Sequence, residues 1–278
     1  MDAENKKEKL CQYMEQLASE DLVLAFSGGV DSSLLLYLAV NAAKRHGKKV
    51  YAVTFQTRLH PPCDLDTARR VAEEMQAIHQ VLQVDELEME AIRTNPVNRC
   101  YLCKHHLFEK LIEFAKNHHV DRILDGTNED DLHVYRPGIR ALEELGIKSP
   151  LADCHVTKKE VKQFAEDFGI SVAHRPSAPC MATRLPYGSP LDYELLERIA
   201  AGEEWLHEQL GAEKNIRLRV HRDLVRLEVE KESMSLVLER KEEITKRLHE
   251  LGFVYVTLDL EGFRSGSMDT HLKGENNR

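Results

Sequence analysis

No apolar run in this 278-residue chain approaches the roughly twenty residues that a membrane-spanning helix needs, so no membrane partner is expected. The opening MDAENKKEKL is charged and lacks a signal-peptide core, which predicts a cytoplasmic protein. Basic charge is in short supply. Asp and Glu number 47 against 38 Lys and Arg, for a formal net charge of −9. That balance argues against a broad nucleic-acid footprint and leaves room only for a local basic patch. With no secretory signal, the six cysteines read as thiols or ligands rather than a disulfide framework. Internal repeats and low-complexity runs are absent. The length suits one large or two modest domains, and 42% hydrophobic with 31% charged residues is a globular composition.

The stretch that organises the chain is LVLAFSGGVDSS, Leu22 to Ser33. Its apolar start has the length of a buried strand. Ser27-Gly28-Gly29 breaks the run, and Val30-Asp31-Ser32-Ser33 leads into the helical LLLYLAV. Glycines there permit unusual backbone angles and close approach by a ligand. The first N–H groups of a helix lack partners and favour an anion. Ser27, Gly28, Gly29, Asp31, Ser32 and Ser33 are therefore candidates to hold phosphate. The loop is not a Walker A motif, because the Gly-Lys-Ser/Thr ending is missing. Two glycines alone would read as an ordinary turn; the full SGGVDSS between a buried strand and a helix favours nucleotide binding.

Further along, periodicity predicts a helix within residues 1–20 carrying Leu10, Tyr13, Met14 and Leu17 on one face. A helix to about Arg45 follows the loop, ended by His46-Gly47, and then a strand over Val50 to Phe55. Asp64 or Asp66 is expected to cap a helix with Ala68, Val71, Ala72, Met75 and Ile78 on its apolar face. Gln80 to Val84 reads as a strand, Cys100 to Lys116 as a helix, and Arg122 to Leu124 as a strand before Asp125-Gly126-Thr127-Asn128. Thr157 with Glu160 forms a capping box for a helix to Phe168. Alternating strands and helices predict an α/β fold with a mostly parallel sheet, whose ligands sit at the carboxyl ends of strands. Gly126 and Thr127 occupy such a position, although alone they read as a capping turn.

RPSAPCMATRLPYGSP, residues 175 to 190, is a proline-rich break. Beyond it come a long helix to Leu210, a hairpin over Ile216 to Val229 turning near Arg222-Asp223, a helix over about Glu232 to Leu251 and a strand over Phe253 to Leu260. This predicts residues 1–180 as a nucleotide domain and 190–278 as a small α+β domain with its own sheet. The tail THLKGENNR reads as mobile.

SGGVDSS, LDGTNEDD, RPGIRALEELGIKSPL, PCMATRLPYG, IRLRVHRDLVRLEV and VTLDLEGFRSGSM together resemble the LarE-type sulfur transferases of the PP-loop ATP pyrophosphatases. The resemblance runs to about residue 268. It implies a PP-loop (adenine nucleotide alpha hydrolase-like) fold, ATP as cosubstrate and a nucleotide-like small-molecule substrate. That substrate is a pyridinium biscarboxylic acid mononucleotide on the way to the nickel-pincer cofactor. One carboxylate is adenylated, with pyrophosphate released, and then becomes a thiocarboxylate. Adenylation supplies the leaving group that a carboxylate lacks. Asp31 is expected to help place Mg2+, a hard cation that favours carboxylate and phosphate oxygens. The resemblance further implies a homo-oligomer, a hexamer, with residues 190–278 serving substrate binding or oligomerisation, and sulfide or a sulfur-carrier protein as donor.

Cys180 stands where the family carries its sulfur-bearing cysteine. Two routes exist in the family. One cysteine is sacrificed to dehydroalanine, or three hold a four-iron four-sulfur (4Fe-4S) cluster. Cys100 and Cys103, in NRCYLCKH, are the additional pair, with Cys180 as third ligand. A lone Cys-x-x-Cys would more readily be half of a zinc site with His105 or His106, a redox pair or two inert thiols; Cys180 in the matching motif favours the cluster. Cys11, Cys63 and Cys154 match no motif. Arg184 is a candidate to stabilise substrate carboxylate or phosphate, as are Arg217, Arg219, Arg226 and Arg264, with Ser265 and Ser267 in a further anion-binding turn. For each, a solvated surface role stands beside a substrate contact as the alternative. Competing readings are an ammonia-using PP-loop synthetase, a tRNA-thiolating enzyme and a non-catalytic nucleotide- or zinc-binding regulator.

Overall fold

The computed structural model describes residues 2–60, 62–134, 136–175, 179–212, 214–264 and 266–269, without the side chains of 62, 63 and 269. The chain divides into two units, Met1–Glu88 with Asn98–Ala178, and Met89–Val97 with Pro179–Arg278.

The first unit is built on a four-stranded parallel sheet in the order β3-β2-β1-β4. Its strands are β1 (Leu22–Ala25), β2 (Val50–Gln56), β3 (Ile78–Gln83) and β4 (Arg122–Leu124). Helices are α1 (Ala3–Leu17), α2 (Val30–His46), α3 (Pro62–Glu74), α4 (Arg99–Asn117), the short α5 (Glu129–Leu132), α6 (Gly138–Glu144) and α7 (Pro150–Asp153), and α8 (Lys158–Asp167). Side chains alternate along a strand, so a sheet covered on both faces needs apolar residues at every position. Leu22 and Leu24 pack with α1, α2, α3 and α8 in one apolar cluster. Val23 points the other way and packs with residues of α4 and α6. The order rises from β1 through β2 to β3 on one side and resumes at β4 on the other. The switch point, where open α/β sheets bind ligands, therefore lies at the carboxyl ends of β1 and β4.

The second unit holds α9 (Tyr193–Leu210), an antiparallel hairpin of β5 (Ile216–His221) and β6 (Leu224–Val229), α10 (Met234–Glu239), α11 (Lys241–Glu250) and β7 (Tyr255–Leu258), which pairs parallel with β6. Leu196, Ile199, Leu206, Leu218, Val220, Leu227, Ile244 and Leu248 form buried parts of its core. Among the described residues, no helix is long and apolar enough to cross a membrane.

Three expectations need correction. The helix after β2 starts at Pro62, so neither Asp64 nor Asp66 caps it. It ends at Glu74, where Gln76 takes a φ of 58°, and Ile78 opens β3 instead of closing the helix. The helix expected over 232–251 is broken: a 3-10 turn precedes α10, and Arg240 separates α10 from α11. No Gly or Pro signals that break.

Candidate functional site

SGGVDSS runs from the end of β1 into α2, with Gly29 at the helix N-cap. Gly28 has a φ of 70°, and a Cβ there would stand 2.9 Å from the backbone N and Cα of Ala68 in α3. The loop can pass beneath α3 only as glycine. Within it, Gly29 N–H donates to Ser27 Oγ at 3.3 Å, and Ser32 Oγ donates to Gly29 O at 3.2 Å. Ser33 Oγ is buried with no hydrogen-bond partner among the described residues. From the other side of the switch point, Gly126 meets the start of α2: a Cβ on it would lie 3.2 Å from Ser32 N. The two stretches expected to share a nucleotide thus do meet.

Buried Asp125 fixes the second stretch. Its Oδ1 accepts from Ser149 Oγ at 2.6 Å and Thr127 N at 3.2 Å, and its Oδ2 from Thr127 Oγ1 at 2.7 Å and Lys104 Nζ at 3.2 Å. Asn128 Nδ2 donates to Asp31 Oδ1 at 3.0 Å, while Asn128 Oδ1 is buried without a partner among the described residues. Lys158 is ion-paired with Asp31 Oδ2. Arg175 donates to Asp64 Oδ1 at 2.6 Å and reaches Gly28 O at 3.4 Å. Half-buried Asp131 has its carboxyl pushed up, chiefly by desolvation and against the pull of Arg136. The result is a glycine–serine loop at a helix N-terminus, contacted by Lys158 and Arg175 and flanked by the Asp31 carboxylate and the Asn128 amide, hard oxygens suited to a metal ion. Asn128, Lys158 and Arg175 had not been singled out, because their partners lie 97, 127 and 147 residues away in sequence.

Cys100 and Cys103 lie three residues apart at the start of α4, hence on one face. Arg99 Nη2 donates to Cys100 Sγ at 3.2 Å. Lys104, next along the helix, is the residue bonded to Asp125. Burial pushes the Cys11 and Cys154 thiols up, as suits inert residues. The Cys63 side chain and Ser265 lie outside the described residues. Cys11, Cys100, Cys103, Cys154 and Cys180 form no disulfide. Among the described residues, no group of three or more His, Cys, Asp and Glu side chains is placed to hold a metal ion.

Cys180 belongs to the second unit and caps a 3-10 turn, Met181–Arg184. Arg184 is buried. It forms a two-pronged pair with Glu203, at 2.9 Å from Nε and 2.7 Å from Nη2, and its Nη1 donates to Pro179 O at 2.9 Å. Arg219 donates to Thr183 O at 2.7 Å and to Glu228 Oε2 at 3.1 Å. Fully buried Glu228 also accepts from Arg226 at 3.0 Å and Ser267 Oγ at 2.8 Å. Glu203 Oε1 accepts from Leu218 N as well. Arg219 ties the backbone of the cysteine turn to the hairpin, and Arg184 ties it to Glu203 of α9. Asn95, wholly buried with a φ of 49°, braces the continuation by donating to Leu185 O and Pro186 O.

Arg217 is buried over the Phe263 ring, and burial with the nearby Arg184 charge pushes its pKa down to about 10. It remains a cation at neutral pH. Arg264 is half-exposed and pairs with Glu261 at 2.7 Å. Neither face of β5 is open to water, and the solvated reading of Arg217 and Arg219 is overturned.

A parallel sheet with a glycine–serine loop at its switch point defines the class as the PP-loop α/β proteins, which use ATP. Residues 14–127, spanning SGGVDSS and the DGT turn, match the asparagine synthase family model. Over 267 residues the chain is 32% identical to the pyridinium-3,5-bisthiocarboxylic acid mononucleotide synthase of Lactiplantibacillus plantarum, covering 96% of this chain and 95% of that protein. It is 34% identical over 271 residues to an uncharacterized protein of Synechocystis sp., covering 97% and 98%. An uncharacterized protein of Methanocaldococcus jannaschii is 32% identical over 252 residues, covering 90% and 94%. The chain belongs to the LarE family.

Proposed function

We propose that this protein is an ATP-dependent sulfur transferase that converts a carboxylate of pyridinium-3,5-biscarboxylic acid mononucleotide into a thiocarboxylate. The observation that carries the reading is the near full-length similarity to a synthase named for the bisthiocarboxylic product, with SGGVDSS at the sheet's switch point.

In this reading the loop of Ser27, Gly28, Gly29, Ser32 and Ser33, with Gly126 and Thr127, holds the phosphates of ATP. A substrate carboxylate oxygen attacks the α-phosphorus, and the bond to pyrophosphate breaks. The acyl adenylate then receives sulfur at its carbonyl carbon, the C–O bond to phosphate breaks, and AMP leaves. Magnesium fits the Asp31 carboxylate and the unpartnered Asn128 Oδ1, both hard oxygens, and when bound would neutralise phosphate charge.

Three thiolates suit a 4Fe-4S cluster, and Cys100, Cys103 and Cys180 are the residues that would hold it; bound, it supplies an open iron for an extra sulfide. Arg184 and Arg219 act in the proposal by fixing the cysteine turn. Arg217 and Arg264 are retained as substrate contacts. The division of labour follows the domains proposed from sequence, and the assembly is a homo-oligomer fed by sulfide or a carrier protein.

The test mixes protein, ATP, Mg2+ and the carboxylate nucleotide. Pyrophosphate and AMP should form only with the carboxylate substrate, and the product should carry sulfur in place of one oxygen. ADP formation, or pyrophosphate release indifferent to that substrate, contradicts the reading. Anaerobic reconstitution with about four irons per chain, and Cys180 intact by mass after turnover, supports the cluster route. Dehydroalanine at 180 supports the sacrificial route.

A further inference from the structure

Lys158 is the first residue of α8, at a rigid point. Its backbone N–H donates to Asp130 Oδ2 at 2.7 Å, and the Thr157–Glu160 capping box fixes the helix start. Its ammonium takes the one oxygen of Asp31 that Asn128 does not. The side chains of Lys158 and Asp31 are 33% and 19% exposed, so the pair can be reached from solvent. The Asp31 carboxylate thus holds one ammonium and one side-chain amide, that of Asn128, whose Oδ1 has no partner among the described residues. With the ammonium gone, what is left is a set of hard oxygens of the kind that Mg2+ shares with phosphates.

We propose that Lys158 is a displaceable cation, holding on Asp31 the place that the divalent metal takes when it arrives with the nucleotide. This rests on the reading of Asp31 as a metal contact. The exchange transfers no proton and breaks no covalent bond: an ammonium–carboxylate pair gives way to a metal–carboxylate contact. Mg2+ alone must shed water and expel a cation for a single carboxylate. Mg2+ on a triphosphate brings its other oxygens along, and the polyanion attracts the ammonium it displaces. Lys158 therefore makes metal binding conditional on nucleotide.

The test titrates Mn2+ into nucleotide-free protein and follows the free-ion EPR signal for the native chain, Lys158→Met, Lys158→Arg, and Lys158→Met combined with Asp31→Asn. Loss of a part-exposed charge partner should tighten Mn2+ binding by about five- to tenfold in Lys158→Met. Lys158→Arg should stay near the native value, and the double variant should lose the gain. Unchanged Mn2+ affinity in Lys158→Met, or a gain that persists in the double variant, overturns the proposal. Calorimetry of Mn2+ with a non-hydrolysable ATP analogue separates this from the underlying reading. If Asp31→Asn binds that complex as tightly as the native chain, the metal role of Asp31 itself fails. If it binds more weakly while Lys158→Met shows no gain, only the displacement fails.

Discussion

The two units hold their charges in opposite ways. Around the phosphate loop, Asp31 is paired with residues from distant elements, Lys158 remains a third exposed, and Ser33 Oγ and Asn128 Oδ1 have no partner among the described residues. In the second unit, buried Glu203 and Glu228 each accept from more than one donor, and Arg184 and Arg219 also donate to the backbone of the cysteine turn. A buried ion pair adds little net stability but is costly to break, because removing one partner strands the other. Such a lattice is good for holding a backbone in one place. A site that must admit a charged ligand needs the reverse, partners that can be exchanged. We read the first unit as the place where ATP is received and the second as the mount for Cys180.

That contrast can be broken at its strongest point first. Asp31→Ala should lower the rate of pyrophosphate release at least about a hundredfold, the upper end for disturbing a metal's outer sphere, and leave the melting temperature nearly unchanged. Glu228→Gln should do the opposite. With its charge removed among Arg219, Arg226 and the nearby Arg217, the second unit should lose about 3–5 kcal/mol in denaturant unfolding, near the usual loss for a broken buried pair. Equal stability in both variants would erase the distinction between the units.

Gly28→Ala comes next. The left-handed φ costs an L-residue about 1–2 kcal/mol, and the collision with the Ala68 backbone adds to it. Nucleotide affinity, read by calorimetry, should fall with stability. Native affinity in Gly28→Ala would mean that α3 yields easily.

The legible part of this molecule was the contiguous part. Strand, glycine turn and helix follow one another within Leu22 to Ser33, and each leaves its own mark: apolar run, conformational freedom, cap and period. The same holds for the Thr157–Glu160 capping box and for the hairpin, whose Arg222 takes a φ of 57° at the turn. Residues that complete the site by long-range contact left no such mark. Asn128, Lys158 and Glu203 are polar residues with no periodic signature, and only the fold shows what they face. Arg217 and Arg219 were rightly placed on one strand face, but alternation alone does not say that this face is covered.

The smallest expected effect is a matter of pH. Burial pushes the His79 imidazole below its ordinary value, and His79 bonds Thr54 Oγ1 at 2.8 Å, which donates to Phe26 O just before the loop. A histidine depressed in the folded state binds fewer protons there than when unfolded. Its contribution is therefore complete above the ordinary histidine pKa of about 6.5 and is lost as pH falls from there through the lower folded value. His79→Gln should flatten the decline in melting temperature below about pH 6.5. An identical slope in the two proteins removes His79 from the acid response.

The central claim, that activation and sulfur delivery belong to different parts of the chain, is tested most directly by assaying both half-reactions in one variant. Cys180→Ala, given ATP, Mg2+ and the carboxylate nucleotide, should still release pyrophosphate but yield no thiocarboxylate by mass spectrometry. Undiminished thiocarboxylate from Cys180→Ala, or loss of pyrophosphate release in a folded protein, would contradict the account.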